Sequence, residues 1–157
     1  MMAGMTARRS AASTEGVMTE QAAAQPLVLL TEDEPEVLTT LMRQCRRLLP
    51  TATIIATSDS AAALSQIASQ PVTLAVIAYY LPGQTGVQLI AVLKERSPQV
   101  HTILITASPT RDIEQAARAA GVDILLPKRF SLEELEQAIR SLLPDEGASF
   151  CVSSPLM

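Results

Sequence analysis

Residues 27–35 read Leu27-Val28-Leu29-Leu30-Thr31-Glu32-Asp33-Glu34-Pro35, and the passage from apolar run to acidic turn to proline sets the fold class. Four consecutive aliphatic residues suit a strand buried on both faces, as in a parallel sheet covered by helices. Proline is tolerated in a first helical turn, and acids there face the positive end of the helix dipole. The helix predicted over residues 35–49 follows, with Leu38, Leu41, Met42, Cys45, Leu48 and Leu49 on one stripe.

The same strand-then-helix pair recurs along the chain. Strands are predicted over residues 53–56, 74–78, 101–106 and 122–126. Helices are predicted over residues 60–69, 86–96 and 111–120, and a last one from Ser131. In the second helix Leu64, Ile67 and Ala68 are expected to face inward, and in the last Leu132, Leu135, Ile139 and Leu142. Gly121 is placed as a C-terminal cap, and Ser131 three residues before Glu134 makes a capping box. Five such pairs in series predict an α/β fold, a five-stranded parallel sheet with helices on both faces. Sites in such sheets form at the carboxyl ends of the strands.

The 157 residues are enough for one domain with a hydrophobic core, and 48% hydrophobic with 18% charged residues is a globular composition. Regular patterning spans residues 26–143. Residues 1–25, rich in Ala, Thr, Ser and Met, are expected to be a flexible leader, and residues 144–157 a loose tail. A net charge of -4 argues against nucleic acid or an anionic membrane as the main partner. The apolar stretch around residues 72–81 is too short to span a bilayer as a helix, and a cytoplasmic location is expected. Cys45 and Cys151 lack metal-ligand spacing; Cys45 reads as a core residue of a helix and Cys151 as part of the tail.

Polar residues gather where strands end. Glu32, Asp33 and Glu34 follow the first strand, Thr106 closes the fourth, and Lys128 follows the fifth. The third ends at Ala78, ahead of Tyr79-Tyr80-Leu81-Pro82-Gly83-Gln84-Thr85. Taken one by one, these residues have plainer readings: helix-start acids, a solvated lysine, a β-branched strand end. His101, the sole histidine, starts a strand at the opposite end from this cluster.

Taken in order, the Glu32-Asp33-Glu34 turn, the loop of residues 78–86, the Ile103-Leu104-Ile105-Thr106-Ala107 strand and Lys128-Arg129-Phe130 resemble the receiver domains of response regulators. The resemblance covers residues 26–143 and implies a flavodoxin-like sheet of strand order 2-1-3-4-5. In that family a third-strand aspartate takes a phosphoryl group from a partner's phosphohistidine. The resemblance assigns Glu32, Asp33 and the backbone carbonyl of Tyr80 to Mg²⁺, and Thr106, Lys128 and Leu125 to the switch. It places Ala78 at the phosphoacceptor position, so no residue is assigned a catalytic role and Mg²⁺ affinity is expected to be weakened. Leu125 stands where the family often has Tyr or Phe, and Arg129 where it usually has proline, which puts the family's usual cis peptide in doubt.

The resemblance therefore implies a non-enzymatic signalling module, a receiver that does not take up phosphate and acts by protein contact. Its expected partners are a sensor histidine kinase, another signalling protein, or a second copy docked through the fourth helix, fifth strand and fifth helix. Arg111, Arg118, Arg129 and Arg140 are the candidate contacts there, and with no output domain after residue 143, output is expected to run through that face. Two alternatives stay open: a variant of an ordinary phosphoaccepting regulator with aspartate at position 78, and a flavodoxin-like enzyme. The second would need a phosphate-binding loop after the first strand, where this chain is acidic.

Overall fold

The computed structural model of the protein describes residues 25–68 and 70–143. Strands and helices alternate: β1 Leu27–Thr31, α1 Pro35–Leu48, β2 Thr53–Thr57, α2 Ser60–Ile67, β3 Leu74–Ala78, α3 Gly86–Arg96, β4 His101–Thr106, α4 Arg111–Ala120, β5 Ile124–Pro127 and α5 Leu132–Leu142. All strand pairs are parallel, in the order β2-β1-β3-β4-β5.

Side-chain alternation along the strands divides the core. Val28, Leu30, Leu74, Val76, Ile103 and Ile105 point to the layer where α1 brings Leu41, Cys45 and Leu48 and α5 brings Leu135, Ala138 and Ile139. Leu27, Leu29, Ala75, Ile77 and Leu104 point the other way, onto Ile67 of α2, Leu89, Ile90 and Leu93 of α3, and Ile113 and Ala117 of α4. Every residue of β1 and β3 is buried, which explains why both read as unbroken apolar runs. Burial pushes the Cys45 thiol up to about 12, so it behaves as a small apolar core group.

Helix ends follow local chemistry. Asp59 Oδ1 accepts from the Ala62 amide at 2.7 Å. Ser131 and Glu134 make the expected capping box. Thr85 with Gln88 makes a second one, in a stretch whose sequence marks only a loop followed by a helix. Gly121 closes α4 at φ 84°.

Several boundaries move. α1 ends at Leu48 with Leu49 as its cap, and β2 runs on to Thr57, whose hydroxyl meets that of Thr31 at 3.0 Å. β5 starts at Ile124 because Asp123 is held ahead of it, its Oδ2 accepting from the Thr102 amide at 2.8 Å. Ala68 is not inward; α2 ends before it, at φ 48°, and Ala63 fills the buried position. Leu132 stands in the first turn of α5 and is 49% exposed, while Ala138 completes the buried stripe. Residues 1–24 and 144–157, with most of the expected leader and the whole expected tail and Cys151, lie outside the described residues. Among the described residues no helix is long and apolar enough to cross a membrane.

An exposed ion network ties α1 to α5. Glu136 accepts from Arg140 at 2.9 Å and from Arg47 at 3.1 Å. The hydrogen bonds from Arg140 and then Arg47 hold its carboxyl below the ordinary value of 4.5. A lowered carboxyl pKa contributes stability above the ordinary value and loses it as pH falls through the folded one. Glu136→Gln should therefore flatten the decline of melting temperature with acidification, by a small amount that shrinks at high salt. Melting curves from neutral to acid pH at two salt concentrations check this.

Candidate functional site

The sheet register gathers the polar residues. Thr31 pairs with Ile77, and Ile77 with Leu104, so the next step along the chain sets Glu32, Ala78 and Ile105 at one level. Thr106 pairs with Pro127 one level further on, and Lys128 follows. The Lys128 amide donates to the Thr106 carbonyl at 2.7 Å, which fixes where the lysine leaves the sheet. Parallel strands of matched length thus deliver residues 96 apart in sequence to one contact.

That contact is a part-buried ion pair. Lys128 Nζ lies 3.0 Å from Glu32 Oε2 and 2.9 Å from Glu34 Oε1. The Glu32 side chain has no exposed surface, and that of Lys128 keeps 20%. Glu32 Oε2 also accepts from the Glu34 amide at 3.0 Å, while Oε1 is buried without a hydrogen-bond partner. Burial is the largest influence on the Glu32 carboxyl and raises its pKa, against the lowering effect of the Glu34 amide and of Lys128. Burial opposes the charge on Lys128 too, but hydrogen bonds and charge from Glu34 and Glu32 outweigh it and raise its pKa. The two groups thus face each other at hydrogen-bond distance, with burial opposing the charge on each and their mutual attraction favouring it.

Ala78 sits beside this pair at the end of the central strand, 2% exposed. Its side chain is a methyl group with no polar atom. The backbone around it is closely held. Tyr79 donates its amide to Ile105 O, and Gly86 donates its amide to Tyr79 O, each at 2.7 Å. A Cβ on Gly86 would overlap the carbonyl oxygen of Ala78, so the start of α3 rests directly on the end of β3. Tyr79 and Tyr80 meet edge to face with ring centres 4.7 Å apart, and Tyr80 is 61% exposed.

The remaining candidates take separate places. Thr106 is buried, and its hydroxyl accepts from the Ser108 amide at 3.1 Å. Asp33 is exposed. Lys128 makes its ion pairs with the residues on either side of Asp33, Glu32 and Glu34. Glu34 is legible in the sequence only as a helix-start acid; it occupies the N-cap of α1 but makes no side-chain cap, which leaves its carboxylate to the lysine. Leu125 is half-buried in β5, against the α4-side core. Arg111, Arg118, Arg129 and Arg140 are all exposed, with Arg140 engaged by Glu136. The Lys128–Arg129 peptide is trans.

Among the described residues no three His, Cys, Asp or Glu side chains converge in a way that could hold a metal ion. A cavity of about 710 Å³ lies at the opposite end of the sheet, lined by Thr53, Pro71, Arg96 and His101 among others, and shares none of these acidic residues.

A family model described as the response regulator receiver domain matches residues 28–140. The chain is similar to the transcriptional regulatory protein TctD of Salmonella typhimurium, 33% identical over 85 residues that cover 54% of this chain and 38% of TctD. It is similar to the probable transcriptional regulatory protein TcrX of Mycobacterium tuberculosis, 26% identical over 129 residues that cover 82% of this chain and 55% of TcrX. The chain thus spans about half, or less, of these relatives' length. Among solved structures, the signal receiver domain of an HD domain-containing protein from Pseudomonas fluorescens Pf-5 matches with TM-score 0.70 and 27% identity, over 79% of this chain and 98% of that one. A CheY-like receiver domain protein from Methanospirillum hungatei matches with TM-score 0.71, over 80% of this chain and 99% of that one; at 17% identity it speaks for the fold alone. Strand order, the polar residues at the strand ends and a family match across most of the described residues agree: the chain belongs to the response regulator receiver domain family.

Proposed function

We propose that this receiver does not accept a phosphoryl group at the end of its third strand and works instead as a protein-interaction module of two-component signalling. Ala78 is the observation that carries this reading. Phosphoryl transfer to a side chain needs an oxygen nucleophile, and a methyl group has none. The phenols of Tyr79 and Tyr80 are poor nucleophiles near neutral pH without a base. The chain is read as carrying no catalytic residue.

The Mg²⁺ that the family implies does not fit the residues present. A carboxylate at position 78 is lacking, Glu32 is engaged by Lys128, and Asp33 with the Tyr80 carbonyl makes a sparse donor set. The proposed partner is a sensor histidine kinase, another signalling protein or a second copy of the chain. The docking face runs over α4, β5 and α5, where Arg111, Arg118 and Arg129 are exposed. Arg140 contributes less, because Glu136 already holds it.

Intact-mass spectrometry after incubation with Mg²⁺ and acetyl phosphate tests the reading, with Ala78→Asp alongside. The expected result is no added phosphoryl group on the natural chain and one on Ala78→Asp. Uptake by the natural chain would overturn the proposal. Uptake by neither would leave the interaction module standing and remove Glu32, Asp33, Thr106 and Lys128 as a competent phosphoacceptor pocket.

A further inference from the structure

We infer that the ammonium of Lys128 is the resident cation of the acidic turn, standing where a divalent metal would otherwise balance charge, so that the pocket keeps one arrangement with or without Mg²⁺. The inference rests on the reading of Ala78 as a missing carboxylate and extends it to the residues that remain.

Three observations carry it. Lys128 Nζ reaches two carboxylates at once, Glu32 at 3.0 Å and Glu34 at 2.9 Å. The lysine backbone is pinned by its amide to the Thr106 carbonyl at 2.7 Å, so the ammonium is delivered at small conformational cost. Glu32 is wholly buried, and its Oε2 takes the ammonium and the Glu34 amide together. A divalent ion approaching Glu32 would have to sit against that ammonium or expel it. Like charges at contact repel strongly in a partly dry site. The gain that could offset this, a further carboxylate from the central strand, is missing at Ala78. The buried and unpartnered Glu32 Oε1 is the oxygen that a metal would find once the lysine is gone.

The test uses the full chain, melted in chelator and in millimolar Mg²⁺ at matched ionic strength, as the natural protein, Lys128→Arg and Lys128→Met. The natural protein and Lys128→Arg, which keep a cation, are expected to melt at the same temperature in both conditions. Lys128→Met is expected to melt lower in chelator and to recover by about 4 °C or more with Mg²⁺. Should Lys128→Met fail to fold, Lys128→Gln keeps a hydrogen-bond donor for Glu32 and carries the same expectation. A Mg²⁺ shift of that size in the natural protein, or none in the neutral variants, would overturn the inference. Ala78→Asp reports separately on the reading beneath: a Mg²⁺ shift there supports the missing carboxylate, whatever the Lys128 variants show.

Discussion

Lys128→Met should lower the unfolding free energy by about 3–5 kcal/mol at neutral pH, as breaking a buried ion pair from one side does. The cost comes from what is left behind. Glu32 has no exposed side-chain surface, so without the ammonium its carboxylate keeps only the Glu34 amide as a donor. Glu34 adds little to the loss, because its own side chain is 58% exposed and water replaces the lysine there. Removing both charges should restore much of the deficit. Glu32→Gln combined with Lys128→Met leaves a neutral amide in place of a stranded anion, and a double-mutant cycle measures the difference. The deficit should also depend on pH in a definite direction. Burial already raises the Glu32 carboxyl, and losing the lysine raises it further. A folded-state carboxyl pKa above the unfolded one makes stability fall as pH rises through the interval between them. Lys128→Met should thus approach the parent in acid and fall away from it toward neutrality. Denaturant unfolding of the parent, the single variants and the double variant across that range tests this. A deficit independent of pH would place the loss in packing of the lysine stem instead.

Gly86→Ala should destabilise by about 1–3 kcal/mol, although alanine in place of glycine in a helix ordinarily stabilises by about 0.4–1 kcal/mol. The reversed sign follows from contact geometry. A Cβ at this position would overlap the Ala78 carbonyl oxygen and lie 2.9 Å from its carbonyl carbon and 3.0 Å from Ile77 Cγ2. The first two obstacles are backbone of the central strand, which cannot yield as the end of a flexible side chain can. Nor can the helix start drift away, because the Gly86 amide is bonded to Tyr79 O and Thr85 with Gln88 caps the turn. Gly83 is the control. It has φ 91°, and a methyl group placed on it would meet nothing within 4 Å, so Gly83→Ala should cost about 1–2 kcal/mol through backbone strain alone. Paired unfolding curves for the two variants check this; a Gly86→Ala chain as stable as the parent or more so would remove the close approach of α3 to β3 as a constraint.

The number, type and order of the elements between residues 26 and 143 are written in the amino-acid order. Local patterns carry that information: unbroken aliphatic runs such as Leu74–Ala78 are two-sided strands, and the three- and four-residue spacing in Pro35–Leu48 is an amphipathic helix. The same order shows which strand ends hold polar residues and that the third holds Ala78. Ends are less legible where a distant partner sets them. β5 begins late because Asp123 bonds to Thr102, and Leu132 fits its stripe by spacing yet lies 49% exposed. Which acids meet Lys128 is a matter of tertiary structure. Glu32, Asp33 and Glu34 are consecutive and chemically alike, and neither periodicity nor motif ranks them. The register of β1 against β3, the exit of the chain after β5 and the uncapped N-terminus of α1 turn Glu32 inward and free Glu34, leaving Asp33 to solvent. An ion pair between residues 96 apart is a property of how strands align, and alignment is fixed by packing across the whole sheet.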